Sequence, residues 1–211
     1  MSTVILFGCN AYAVTDVDFN VDDVIRKKFD EKNVLLIGDS ISCCMSKPFK
    51  ESLKGMGKDM KLYGIPGASF TYTGGTPNMI LNQIETVIRT EGSLRKYDLV
   101  VINAGTNDWN FHAEVFTSTV VNTFNGLRAF YKGRVVVIIP MHRVGMNLSV
   151  QRIVLFNLAT AYGFDIINAT RFKNFPIIPK PEYCSDGLHT TLWVGATDYA
   201  NEVVKVLQSK E

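Results

Sequence analysis

The sequence predicts an α/β fold, a three-layer sandwich around a parallel β-sheet, and three observations carry that expectation. Val34-Leu35-Leu36-Ile37, Leu99-Val100-Val101-Ile102 and Val135-Val136-Val137-Ile138-Ile139 are continuous apolar runs. Strands covered on both faces read this way, because neither side tolerates a polar side chain. Amphipathic helical patterns separate the runs, and strand–helix alternation implies right-handed crossovers that lay helices on the sheet. The chain length of 211 residues and its 46% hydrophobic content suit one domain with a sizeable core.

Taken in order, residues 1–30 read as an N-terminal arm with a short helix at Val21–Phe29, and residues 31–211 as the folded domain. Met1–Ala13 has a short apolar run, Val4 to Phe7, but no basic residue before Arg26. A signal peptide needs a basic start and an apolar stretch of about 7–15 residues, so a retained structural arm is expected at Met1–Asn20. Leu6-Phe7-Gly8-Cys9 resembles a lipoprotein cleavage box, with Phe7 ill-suited to it. Weaker strands are expected at Met60–Tyr63 and Phe164–Ile167. Ile80, Leu81, Ile84, Val87 and Ile88 repeat at helix spacing, as do Phe116, Val120, Val121, Phe124 and Leu127. Two further sets do the same: Ile153, Val154, Leu158 and Ala161, then Tyr199, Val203, Val204 and Leu207. Each set gives a helix one apolar face. Ala169–Ser185, with Pro176, Pro179 and Pro181, reads as a long loop, and loops of that length are often functional.

Composition removes several classes of function. The net charge of +2 is spread over the chain without a basic block, so nucleic acid is not an expected partner. No apolar run approaches the roughly 20 residues of a membrane-spanning helix. The four cysteines, Cys9, Cys43, Cys44 and Cys184, lack metal-ligand spacing and read as thiols. That favours a reducing compartment, the cytoplasm before a secreted setting. His and carboxylate spacing offers no zinc site. There is no G-x-S-x-G elbow, no Walker loop at Gly55-Met56-Gly57-Lys58, and no dinucleotide fingerprint at Gly74-Gly75.

In open parallel sheets, ligands bind beyond the carboxyl ends of the strands. The segments following the strands are Gly38-Asp39-Ser40-Ile41-Ser42, Gly64-Ile65-Pro66-Gly67-Ala68-Ser69 and Ala104-Gly105-Thr106-Asn107-Asp108-Trp109. The late loop adds Ser185-Asp186-Gly187-Leu188-His189. Four polar, glycine-bearing turns thus converge on one edge.

These four segments, in this order, resemble the signature blocks of the SGNH/GDSL serine hydrolases. The resemblance covers Asn33 to about Leu207. It implies a flavodoxin-like sandwich with five parallel strands and ester-hydrolase activity with no metal or organic cofactor. Ser40 becomes the nucleophile, His189 the general base, and Asp186 the acid that orients it. Of the three histidines, His112, His142 and His189, only His189 has a carboxylate three residues before it. The family often has proline directly after this histidine; here Thr190 and Thr191 follow. By the same resemblance the oxyanion hole comprises the backbone N–H of Ser40, the backbone N–H of Gly67 and the side-chain amide of Asn107. Asp39 and Asp108 read as loop-organising carboxylates. Trp109, His142 and Arg143 are candidates to line a substrate pocket.

Each assignment has a plainer counterpart. Ser40 could cap a helix, as serine often does. Gly67 could serve an ordinary Pro-Gly turn, and Asn107 could brace its own loop. Asp186 and His189 could be a surface pair. The short gap between the first two blocks, without a large lid insertion, favours a small acyl group, acetyl above all, on a carbohydrate or other small alcohol. A lipase-like enzyme or thioesterase for longer chains, and a non-catalytic binding module, are the alternatives. Oligomeric state is not legible.

Overall fold

The computed structural model describes residues 21–71, 80–141, 146–175, His189 and 194–209. In chain order the elements are β1 (Asn33–Gly38), α1 (Ser40–Gly55), β2 (Asp59–Gly64), α2 (Ile80–Glu91) and β3 (Leu99–Asn103). They continue with α3 (Ala113–Phe130), β4 (Arg134–Ile139), α4 (Ser149–Ala161), β5 (Asp165–Asn168) and α5 (Val194–Gln208). Short 3₁₀ turns occupy Thr106–Asp108 and Ala169–Arg171.

The strands form one parallel sheet in the order β2-β1-β3-β4-β5. This is the flavodoxin-like order. Side chains alternate between faces along a strand, and each face meets its own helices. Leu35, Ile37, Val100, Ile102, Val135 and Val137 pack with the apolar stripes of α2, α3 and α4. Val34, Leu36, Leu99, Val101, Val136 and Ile138 pack with those of α1 and α5. These strand residues are at most 1% exposed, which accounts for the unbroken apolar runs. Burying each such side chain stabilises the fold by about 1.5–3 kcal/mol, so these two layers dominate its stability.

The order places a topological switch between β1 and β3. From β1 the chain moves outward to β2 through α1, then returns past β1 to β3 through α2. The crevice beyond the carboxyl ends of β1 and β3 is where such sheets bind ligands.

The expected helix at Val21–Phe29 is not formed. Val24 instead makes an antiparallel bridge to Ile166 on β5, donating and accepting backbone hydrogen bonds at 2.8 Å each. Asp23 accepts from the backbone N–H of Asn168 at 2.6 Å, and the backbone N–H of Arg26 donates to Asp165 at 3.1 Å. Ile25 and Phe29 reach the α1/α5 core layer. Partners on β5 thus satisfy the backbone that a helix would otherwise have satisfied internally.

At the amino edge of the sheet a buried charge cluster ties this segment down. Arg134 Nε donates to Asp165 Oδ2 at 2.7 Å, and its Nη1 donates to Glu31 Oε2 at 2.9 Å. The same guanidinium donates to the carbonyls of Lys28 at 3.1 Å and Lys27 at 2.9 Å. Among the described residues no helix is long and apolar enough to cross a membrane.

Candidate active site

Ser40 is the first residue of α1, directly beyond β1, and Asp39 is the N-cap, its carboxylate accepting from the backbone N–H of Ile41 at 2.9 Å. The capping role is therefore taken by Asp39, and Ser40 is left to present its hydroxyl at the positive end of the helix dipole. Gly38 owes its identity to close approach. A methyl group there would lie 2.1 Å from the Asn103 carbonyl oxygen and 2.1 Å from Ser42 Oγ.

His189 precedes α5 by five positions in the sequence. Its Nε2 lies 2.9 Å from Ser40 Oγ, although 149 residues separate the two in sequence. This is hydrogen-bond distance, within the reach an imidazole needs to take a proton from a hydroxyl. Asp186, His142 and Arg143 lie outside the described residues, as do Cys9 and Cys184. Cys43 and Cys44 are half-buried thiols on α1, not the fully buried apolar residues their type suggests.

The second loop is a tight turn. Ala68 N–H donates to the Ile65 carbonyl at 3.0 Å, and Gly67 has φ 79°. With Pro66 before it, this is a type II turn, which requires positive φ at its third position. Among the described residues, its chain neighbours aside, no atom lies within 4 Å of where a Gly67 side chain would begin. The third loop brings Asn107, whose Nδ2 donates to the Ala68 carbonyl at 2.9 Å. That bond fixes the amide plane and uses one of two amide hydrogens. It also ties the Asn107 loop to the residue after Gly67.

Two buried carboxylates organise these loops. Asp108 accepts from the backbone N–H groups of Phe70 at 3.1 Å and Thr71 at 2.9 Å, and from the Thr71 hydroxyl at 2.5 Å. Asp39 is fully buried, and burial pushes its carboxyl up to about 6, against the opposing hydrogen bonds from Ile41 and Thr106. Desolvation outweighs the helix dipole at this cap. Burial likewise raises the Asp108 carboxyl, with hydrogen bonds from Thr71 and Phe70 opposing.

Trp109 is 45% exposed beside Asn107, and Ile65 is 39% exposed at the start of the Gly67 turn. His112 is exposed at the start of α3 and caps it without a side-chain hydrogen bond. Among the described residues no three His, Cys, Asp or Glu side chains gather as metal ligands would.

Three supporting residues were not anticipated from the sequence. Asn103 ends β3, and its carbonyl accepts from Asp39 N–H at 3.3 Å and from Ser42 Oγ at 2.9 Å. Gln151 Nε2 donates to the Asp108 carbonyl at 2.8 Å. Gln83 Nε2 donates to the Gly38 carbonyl at 3.0 Å, and Gly38 N–H donates to Gln83 Oε1 at 3.1 Å. A signal for Gln83 was present: it sits on the stripe of Ile80, Ile84 and Val87, where a surface polar residue has no place.

No family model and no curated relative matches the chain. Solved structures do match it. A lipase/acylhydrolase from Enterococcus faecalis aligns with TM-score 0.61 and 18% identity, over 84% of this chain and 96% of that one. The psychrotrophic esterase EstA from Pseudoalteromonas, inhibited by monoethylphosphonate, aligns with TM-score 0.65 and 14% identity, over 84% and 97%. A carbohydrate acetylesterase family member from Sinorhizobium meliloti aligns with TM-score 0.59 and 15% identity, over 84% and 99%. At these identities the likeness establishes a shared fold: the chain has the SGNH-hydrolase architecture from end to end of these structures.

Proposed function

We propose that this chain is a serine hydrolase of carboxylic esters, with Ser40 as nucleophile, His189 as general base and Asp186 as the acid that orients the imidazole. The observation that carries this reading is the 2.9 Å approach of His189 Nε2 to Ser40 Oγ at the carboxyl edge of the sheet. As Oγ attacks the ester carbonyl, Nε2 takes its proton. The negative charge on the tetrahedral oxygen is met by the N–H of Ser40, the N–H of Gly67 and the remaining amide hydrogen of Asn107. Collapse expels the alcohol, which receives the proton from His189, and leaves acyl-Ser40. Water, deprotonated at the same imidazole, then releases the acid and restores the serine.

For the substrate we infer a small acyl group, acetyl above all, on a carbohydrate or other small alcohol. The short spacing between the first two loops supports this, and a carbohydrate acetylesterase family member shares the fold. A second reading, longer acyl chains, is favoured by the exposed apolar side chains of Ile65, Trp109 and Val194 at this edge. It also has a lipase/acylhydrolase among the similar folds. A chain-length series of p-nitrophenyl esters separates the two: acetate turns over fastest on the first reading, octanoate on the second. A fluorophosphonate probe tests the shared premise. It should label Ser40 in folded protein, and failure to do so returns the chain to a non-catalytic binding module.

A further inference from the structure

Gln83 reaches the nucleophile turn from α2, the helix whose first N–H, that of Ile80, donates to the Ser69 carbonyl at 3.0 Å. It lies on α2, 2% exposed, and its amide closes a two-way hydrogen-bonded ring with Gly38. Gly38 N–H belongs to the peptide before the glycine, and its carbonyl to the peptide after it. One side chain therefore holds both planes around the most permissive residue of the turn. The second of those peptides leads into Asp39, the N-cap, and then to the N–H of Ser40. The Gly38 carbonyl also accepts from Ile65 N–H at 3.0 Å, and Ile65 opens the turn that carries Gly67. The two backbone donors of the oxyanion hole thus hang from one carbonyl, and Gln83 fixes that carbonyl.

We propose that Gln83 is a positioning residue of the active site: it sets the oxyanion donors of Ser40 and Gly67 by clamping Gly38, and acts on turnover while touching no substrate. This rests on the serine-hydrolase reading above. Preorganised donors matter only where charge develops, in the transition state. Loosening them should lower kcat and leave KM nearly alone.

The test uses two variants of the full chain, assayed with p-nitrophenyl acetate and with a fluorophosphonate probe. Gln83→Met keeps length and volume but removes both hydrogen bonds. It should lower kcat by about 10- to 100-fold, the scale of small misplacements at a reacting centre, with KM within about threefold. Labelling of Ser40 should slow by a similar factor yet still reach completion. Gln83→Glu is nearly isosteric. Its neutral acid can both accept from Gly38 N–H and donate to the Gly38 carbonyl; its carboxylate cannot donate and faces that carbonyl unfavourably. Its activity relative to wild type should therefore climb as the pH falls from about 8 to about 5, where carboxyl groups take up protons. Taking the ratio at each pH cancels what Asp39, Asp108 and His189 contribute, and also Glu85, Arg89 and Glu91 on α2.

A kcat for Gln83→Met within twofold of wild type overturns the proposal, as does a loss confined to KM or a ratio for Gln83→Glu that is flat with pH. Should Gln83→Met not fold, the pH profile of Gln83→Glu decides. A wild-type protein that neither hydrolyses nor labels overturns the hydrolase reading and this role with it. An active wild type with indifferent variants overturns this role alone.

Discussion

At the amino edge of the sheet, full charges meet: Arg134 is gripped by Glu31 and Asp165, and the backbone of Lys27 and Lys28 wraps round it. At the carboxyl edge the contacts are mostly backbone amides, carbonyls and side-chain amides, through Gly38, Ile65, Ala68, Gln83, Asn103 and Asn107. The amino edge also holds a cavity of about 740 Å³, lined by Lys27, Asp30, Glu31, Arg95, Tyr131 and Arg134 among others. Volume alone would send a search for chemistry there. Yet its most buried charges are engaged with one another, and among the described residues that line it no nucleophile is paired with a base. The carboxyl edge pairs a hydroxyl with an imidazole, and on the function proposed above the N–H groups of Ser40 and Gly67 and the Asn107 amide are the donors that meet incoming charge. Convergence of unspent hydrogen-bonding capacity, more than concavity, distinguishes a reactive edge from a structural one.

The sharpest way to break this contrast is to remove the reacting pair. Ser40→Ala or His189→Ala should lower hydrolysis of p-nitrophenyl acetate by about 10⁶-fold, and loss of Asp186 by about 10⁴-fold, on the scale of serine-protease triads. Melting temperatures should stay near wild type. Residual activity within 100-fold for Ser40→Ala would place the chemistry elsewhere.

Arg134→Met tests the other edge. It removes the buried partner of Glu31 and Asp165 and leaves them only the more exposed Lys27 and Arg26; breaking a buried pair from one side costs about 3–5 kcal/mol. Urea denaturation should register that loss, while kcat per folded molecule stays within about twofold. A folded variant with crippled turnover would show that the two edges are coupled.

Asn107→Ala should lower kcat by about 100- to 1,000-fold, the cost of one oxyanion donor, with folding retained. Steady-state kinetics at wild-type rates would remove this amide from the mechanism and leave it as a brace on Ala68.

The smallest effect concerns charge at the carboxyl edge. Asp39 has its carboxyl raised to about 6 by burial, so the folded state binds its proton more tightly than the unfolded chain, where about 3.9 is usual. Stability therefore declines as pH rises between about 4 and 6, because the unfolded state releases the proton first. Asp39→Asn keeps an acceptor for Ile41 N–H without the charge. Its unfolding free energy should be flatter over that interval than wild type; an unchanged slope would move the titration to Asp108 or elsewhere.

Much of this arrangement was legible in the sequence because buried parallel strands tolerate nothing polar, which made β1, β3 and β4 visible as runs. The proposed reacting pair was legible by position: Ser40 directly follows β1, and His189 lies in the long stretch between β5 and α5. β2 was fainter because its margin position lets Asp59 and Lys61 face water. The segment at Val21–Phe29 misled because Val21, Val24, Ile25 and Phe29 have helix-compatible spacing, whereas the deciding contacts come from β5, about 140 residues away. Gln151 was missed for a related reason: a glutamine on a helix reads as surface until its partner backbone is known. Gln83 differed, because its place on the apolar stripe of α2 marked it as buried, though not what it would hold.

The bridge from Val24 to Ile166 has one more effect. β5 ends the sheet, and its outer backbone would otherwise be an open template for another strand. The segment before β1 lies along that margin as a sleeve, and the opposite margin, β2, carries Asp59 and Lys61, whose charges discourage strand pairing. One rim of the sheet is thereby covered by the chain's own leading segment, and the other disfavours edge-to-edge pairing through its charges.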